Sequence, residues 1–314
     1  PLTAGLLQGA FHNRLGKPYV SDARNLVVAA RASHPLPKDL SDASDLLERI
    51  ANQDVDDSDG QIRMKKGVAK DRVISVTDPD MRHGRKTSSA KANGFKAHIA
   101  TDGNFVASVV VTAANKADAE PLPEVVKQCE ANAMKPEQIV GDSAYCIWPI
   151  KESMALDGIE LIAKVPSEAR VDGRYPKSMF DIDTLAGVVR CPEGSEARFD
   201  PSVIESRKGA VVCFSDCAAC PARNECTQAK TGRTISIHPY EPEMAAERKR
   251  QATTEFKQFY AQRSAGERSI SHLTRHGARD ARYIGAFKVW FQEVLAALNF
   301  NVKAFARLSV ATTG

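Results

Sequence analysis

The stretch FKQFYAQRSAGERSISHLTRHGARDARYIGAFK, residues 256–288, decides how the rest of the chain is read. Its pattern predicts one long helix carrying Tyr260, Arg263 and Glu267. These residues stand three and four positions apart, a spacing that places them on one helical face. A carboxylate set among arginines, with Arg275, Arg279, Arg282 and Lys288 following, is an unusual surface. Most charged runs of this kind are solvated helix faces, so the other segments must say whether this one does more.

The 314 residues suffice for one large domain or about two ordinary ones. With 43% hydrophobic and 26% charged residues, the composition is that of a globular protein. Lysine and arginine number 43 against 39 acids, a net charge of +4 that permits nucleic-acid binding without arguing for it. No apolar run approaches the roughly 18 residues of a membrane span, and no secretory leader is read. The expectation is a cytoplasmic protein. The first residue is proline, so the chain reads as a fragment or a processed product.

Residues 1–66 read as a helical N-terminal segment, with Ser21-Asp22 and Leu40-Ser41-Asp42 as helix starts and an exposed acidic loop over 52–60. Residues 67–165 read as the first part of an α/β core, an α+β mixed sheet. Its expected strands include Arg72–Val76, Gly94–Asp102, Phe105–Thr112, Gln138–Asp142 and Ile159–Val165. Asp102-Gly-Asn104 is a hairpin signal. Helices are expected over 120–132 and 149–156. Residues 166–240 are a small cysteine-rich insertion with strand-like pieces at 187–190 and 234–237. Residues 241–314 are the helical second part of the core, with Trp290, Phe291, Val294, Leu295 and Leu298 as the expected buried stripe.

Three constellations carry chemistry. Gly141-Asp142-Ser143 closes an apolar strand, and ligands in open α/β sheets gather at the carboxyl ends of strands. The commoner role of an isolated Gly-Asp-Ser is a helix N-cap or turn. Glu267, 125 residues later, can meet Asp142 only in the folded chain, and converging acids suit Mg²⁺. Third, Cys191, Cys213, Cys217, Cys220 and Cys226 crowd one region around a C-x-x-C. Four thiolates suit a closed structural Zn²⁺ site. The favoured set is Cys191, Cys217, Cys220 and Cys226, with Cys213 as the rival of Cys191. Reduced, simply buried cysteines are the alternative.

Tyr260-x-x-Arg263-x-x-x-Glu267 resembles the Tyr-Arg-Glu-Lys signature of bacterial DDE transposases of the insertion-sequence-four superfamily. The segment from Glu267 to Lys288 is similar to the IS1182 group of that superfamily. So are Asp78-Pro-Asp-Met-Arg-His-Gly-Arg-Lys86, Gly94-Phe-Lys-Ala-His98, Val111-Thr-Ala-Ala-Asn115 with Asp118, and Gly141-Asp-Ser-Ala-Tyr145. The resemblance implies an RNase H-like core interrupted by the insertion, with Asp142 and Glu267 as the second and third catalytic carboxylates holding Mg²⁺ or Mn²⁺. Tyr260 and Arg263 would contact the terminal DNA strand; Arg275, Arg279, Arg282 and Lys288, which follow along the same segment, are read from their charge as further DNA-backbone contacts. It further implies double-stranded DNA partners (element ends and target), a homodimer on DNA, and a nucleoid-associated bacterial protein. Two departures stand out. The lysine position holds Thr274, and the first aspartate would fall near Ala10, where residues 1–21 contain no acid. Asp78 and Asp80 are the nearest substitutes, ranked low. An active transposase, a DNA-binding remnant without catalysis and a related nuclease are the three functions weighed.

Overall fold

The structure, a computed structural model, describes residues 16–32, 35–67, 69–85, 91–166, 168 and 173–313, with side chains from Pro18 to Val310. Ala10, with residues 1–15 of the acid-free N-terminal stretch, and Lys86 lie outside the described residues. The described residues are α+β, with helices beside small sheets. They fall into two compact units, one formed by Pro1–Lys135 with Ala265–Gly314 and the other by Pro136–Ser264.

The first unit opens with α1 (Gly16–Arg31) and α2 (Lys38–Asn52). α1 starts ahead of the expected cap, so Ser21 and Asp22 lie inside it. α2 starts at Lys38 with no side-chain cap. The expected exposed loop over 52–60 instead contains β1 (Val55–Asp56), which pairs antiparallel with β2 (Arg63–Met64). Asp54 is buried there, accepting from the Ala69 amide at 3.2 Å and pairing with Arg72 at 2.9 Å. The strand expected at Arg72–Val76 does not form. Val73 gives its backbone bonds to the Gln53 side-chain amide, at 2.9 and 3.2 Å, so the segment is satisfied without a neighbouring strand.

β3 (Arg82–Arg85), β4 (Lys91–Thr101) and β5 (Val106–Ala113) form an antiparallel sheet in that order. The hairpin signal is realised at the β4–β5 turn. Asp102 Oδ1 accepts from the Asn104 and Phe105 amides at 2.8 and 2.7 Å, and Gly103 takes φ +96°. α3 (Leu122–Ala131) packs on β5, and Asn132 at its end donates to the Ala107 carbonyl at 2.8 Å.

The second unit begins with β6 (Gln138–Val140), α4 (Trp148–Leu156) and β7 (Glu160–Ile162). The two strands are parallel and in register, Val140 opposite Ile162, as a βαβ crossover requires. Next come β8 (Asp181–Asp183), β9 (Val188–Arg190), β10 (Glu196–Arg198), α5 (Ser202–Glu205), β11 (Ala210–Cys213), α6 (Arg223–Cys226) and β12 (Thr234–Ile237). β8, β9 and β10 form one antiparallel sheet, and β11 and β12 a second. Phe180, Val189, Ile204, Val212, Phe214 and Ile235 form a core between them, more than the sequence led one to expect of this segment.

The long helix expected over 256–288 is broken. α7 (Glu241–Ala252) precedes α8 (Thr254–Tyr260), and a turn at residues 261–262 separates α8 from α9 (Arg263–Leu273). Tyr260 therefore does not share one continuous helix with Arg263 and Glu267. The unit boundary falls inside α9. After Leu273 the chain widens into a π-type turn in which His276 and Gly277 leave helical conformation, Gly277 at φ +102°. α10 (Ala286–Thr313) follows a further break at Gly285, φ +91°.

α10 lies on the β4–β5 hairpin. Trp290 Nε1 donates to the Val109 carbonyl at 3.0 Å, and the Asn301 amide pairs with both backbone groups of Val106. Val106, Val109, Leu273, Ala297 and Phe300 form the core there, with Trp290 and Val294 partly buried against it. The other members of the expected stripe point outward: Phe291 is 49% exposed, Leu295 47% and Leu298 57%. α10 is apolar on several faces, and the hairpin selects the one through Val289, Trp290, Ala297, Phe300 and Ala304.

Candidate functional site

In the second unit, β6 and β7 end side by side. The Gly141 amide donates to the Ile162 carbonyl at 2.9 Å, carrying the pairing one residue past β6. Asp142 follows with extended backbone and caps a short 3₁₀ turn, Oδ1 accepting from the Ala144 amide at 2.8 Å. The capping role common to Gly-Asp-Ser is thus present, and the carboxylate is exposed at the strand end. A Cβ at Gly141 would stand 2.9 Å from Cβ of Tyr145, so only glycine fits without displacing that ring.

Tyr260, 119 residues further on, reaches this point. Its hydroxyl donates to the Gly141 carbonyl at 2.9 Å. Phe256 stacks on its ring at 5.4 Å, Arg263 stands 5.7 Å from the ring centre and Lys164 Nζ 4.5 Å. The second unit therefore brings together Asp142, Tyr260 and Arg263 of the expected site.

Glu267 belongs to the first unit. It is exposed on α9, whose opposite side is anchored by buried Ser269 and Leu273. α9 runs close to the hairpin turn, where a Cβ on Gly103 would meet Ala265 at 3.4 Å and one on Gly266 would meet Thr101 at 3.7 Å. Arg275, Arg279, Arg282 and Lys288 are all exposed, but they occupy the π-type turn, the following loop and the first turn of α10 rather than one helix.

Much of the motif set in the first unit is structural. Asp78 Oδ2 accepts from the Gly285 amide and Asp80 Oδ2 from the Ala286 amide, both at 3.0 Å, so the two acids of the Asp-Pro-Asp block hold the start of α10. Lys96 pairs with Asp118 at 2.7 Å. Asp71 accepts from Arg82, Arg49 and Asn115, and the Arg82 bond holds its carboxyl below the usual range. His98, buried and 2.9 Å from Thr112 Oγ1, is pushed by burial below the usual imidazole value.

Cys191, Cys217, Cys220 and Cys226 line one cavity of the second unit, beside Phe180, Phe214 and Arg233. Cys213 does not line it; its exposed thiol lies 3.3 Å from the Thr231 carbonyl. Two of the four sulfurs accept backbone amides, Cys191 from Ser195 at 3.2 Å and Cys217 from Arg233 at 3.4 Å. Burial pushes the Cys226 thiol up, the Arg233 guanidinium opposes this, and negative charge on Cys217, Cys191 or Cys220 adds to it. Arg233 Nε is buried without a hydrogen-bond partner among the described residues. Even so, no group of three or more His, Cys, Asp or Glu side chains among the described residues is arranged to hold a metal ion. The sulfurs share a cavity and are not drawn to one point; Cys191 and Cys217 are held by local backbone bonds instead. None of the helices is long and apolar enough to cross a membrane, among the described residues.

Residues 190–306 match the family model of a transposase DDE domain. The match supports a DDE transposase. It covers less than half of the chain, taking in Tyr260, Arg263, Glu267 and the five clustered cysteines but not Asp142. No curated protein and no solved structure matches.

Lys164 and Arg233 carry no mark in the sequence. Lys164 sits inside the run read as a strand over 159–165, and only the early end of β7 frees it. Nothing in the sequence marks Arg233 as the cation of the cysteine cavity.

Proposed function

We propose that this chain is the DNA-cleaving and strand-joining part of a bacterial insertion-sequence transposase of the IS1182 group, acting on double-stranded DNA at element ends and target. Asp142 and Glu267 are its carboxylates for Mg²⁺ or Mn²⁺, within an RNase H-like core interrupted by the cysteine-rich segment. Bound there, the metal would activate a water or hydroxyl and stabilise the leaving oxygen of a phosphodiester. Tyr260 and Arg263 hold the terminal strand, and Arg275, Arg279, Arg282 and Lys288 neutralise further phosphates. A homodimer on DNA in the bacterial cytoplasm, at the nucleoid, belongs to the same proposal.

The observation that carries it is the Tyr260 cluster. A tyrosine of the Tyr-Arg-Glu signature is bonded to the residue preceding Asp142, with the signature arginine against its ring. A solvated helix face has no reason to be tied to a strand end so distant in sequence.

The cysteine cavity is proposed as a structural Zn²⁺ site of Cys191, Cys217, Cys220 and Cys226. Zn²⁺ would have to draw the four sulfurs together; what supports it is their shared cavity, the two amide bonds to sulfur and the guanidinium of Arg233, whose charge offsets thiolates.

DNA affinity measured across a salt series tests the proposal. Binding weakens steeply with salt, and Arg263→Ala reduces the slope by about 0.9 unit, the loss of one phosphate contact. Glu267→Gln removes a negative charge, so affinity holds or rises while Mg²⁺-dependent cleavage disappears. Binding indifferent to salt and to Arg263 would return the helix to an ordinary surface. A binding remnant without catalysis would show the salt behaviour and no cleavage in the starting chain.

A further inference from the structure

We infer that Lys164 is a phosphate-binding residue of this site, supplying from the end of β7 a cation that the signature does not supply at Thr274. The inference rests on the proposed DNA-processing function.

Asp142 and Lys164 each lie two residues beyond the paired Val140 and Ile162, at the shared carboxyl end of two parallel strands. Lys164 is exposed, and its ammonium stands 4.5 Å from the centre of the Tyr260 ring. Arg263 approaches the same ring, and the Tyr260 hydroxyl is fixed to Gly141 beside Asp142. Two cations thus converge on one tethered aromatic at a carboxylate-bearing strand end.

Three other cations of the second unit that lie over aromatic rings are also neutralised by acids, whereas Arg233, over Phe180, bonds to backbone carbonyls. Lys151, over Trp148, pairs with Glu247; Arg207, over Tyr240, pairs with Glu152 and Glu243; Arg250, over Phe256, pairs with Glu160. Lys164 makes no ion pair among the described residues. A surface lysine held by an aromatic face, without a carboxylate, keeps its charge for an anion. The anion that fits is a backbone phosphate of duplex DNA passing Tyr260. Lysine serves there as a compact point charge with three donors.

The test uses the full chain and a mixed-sequence DNA duplex, with affinity measured over a salt series. Lys164→Gln lowers the salt slope by about 0.9 unit, which between 50 and 200 mM salt is a difference of roughly threefold in how far affinity falls. Lys164→Arg retains the slope. A slope unchanged in Lys164→Gln but reduced in Arg263→Ala overturns the inference and leaves the proposed function standing. Absence of salt-sensitive binding in the starting chain defeats both. If Lys164→Gln does not fold, amine acylation of the starting chain decides. Bound duplex protects Lys164 and leaves the exposed Lys208 reactive; equal acylation of Lys164 with and without DNA overturns the inference.

Discussion

Glu293 sits on α10 with 5% of its surface exposed, and burial lifts its carboxyl to about 7. The folded chain therefore holds this proton more tightly than the unfolded chain does. The stability it contributes is complete below the ordinary value of 4.5 and is lost as pH rises toward 7. Above that, the charged form costs about 3 kcal/mol. Glu293→Gln should raise the melting temperature at pH 8, leave it nearly unchanged near pH 4.5 and flatten the decline between. Parallel melting curves against pH for both proteins would refute this. A glutamate in a mixed helix carries no mark of its burial; it becomes legible only once the hairpin chooses its face of α10. Asp142 was legible as a strand-end acid, because a short apolar run stops at Gly141. Its bond to the Ala144 amide and the tether from Tyr260 were not, since both depend on how β6 ends and on a residue far along the chain.

Elements with a local apolar run bounded by turn signals were legible: the β4–β5 hairpin closed by Asp102-Gly-Asn104, the α4 helix and the short strands β9 and β12. Arg72–Val76 was not, because a β-branched run shows that a segment can be extended, whereas a strand also needs a partner. Gln53 supplies that partner from a side chain. The break before α10 was missed because Gly277 and Gly285 are tolerated inside a helical pattern, and nothing local states that both adopt positive φ. What fixes the start of α10 is remote: Asp78 and Asp80 accept its first amides and place negative charge at its positive end. Asp80→Ala should therefore destabilise the first unit by about 1 kcal/mol in urea unfolding. Loss of cleavage with unchanged stability would instead make Asp80 a catalytic acid.

At the scale of the whole molecule, the second unit is contiguous while the first is assembled from both ends of the chain. If the cysteine cavity holds zinc, chelation should increase amide exchange in residues 175–237 and leave β4 and β5 as protected as before. Metal analysis of protein purified without chelators should find zinc; no zinc and no change on chelation would leave four reduced thiols. The division of the chain also sets an order during synthesis. The ribosome delivers residues 136–264 as one uninterrupted stretch, and the tether from Tyr260 to Gly141 can close as soon as that stretch has emerged. The β4–β5 hairpin is made far earlier, yet the apolar side of Val106 and Val109 is covered only when Trp290, Ala297 and Phe300 arrive. Translation thus leaves that hairpin uncapped until residues 290–300 are made, and a stop codon early in α10 would spare the contiguous unit while stranding the first.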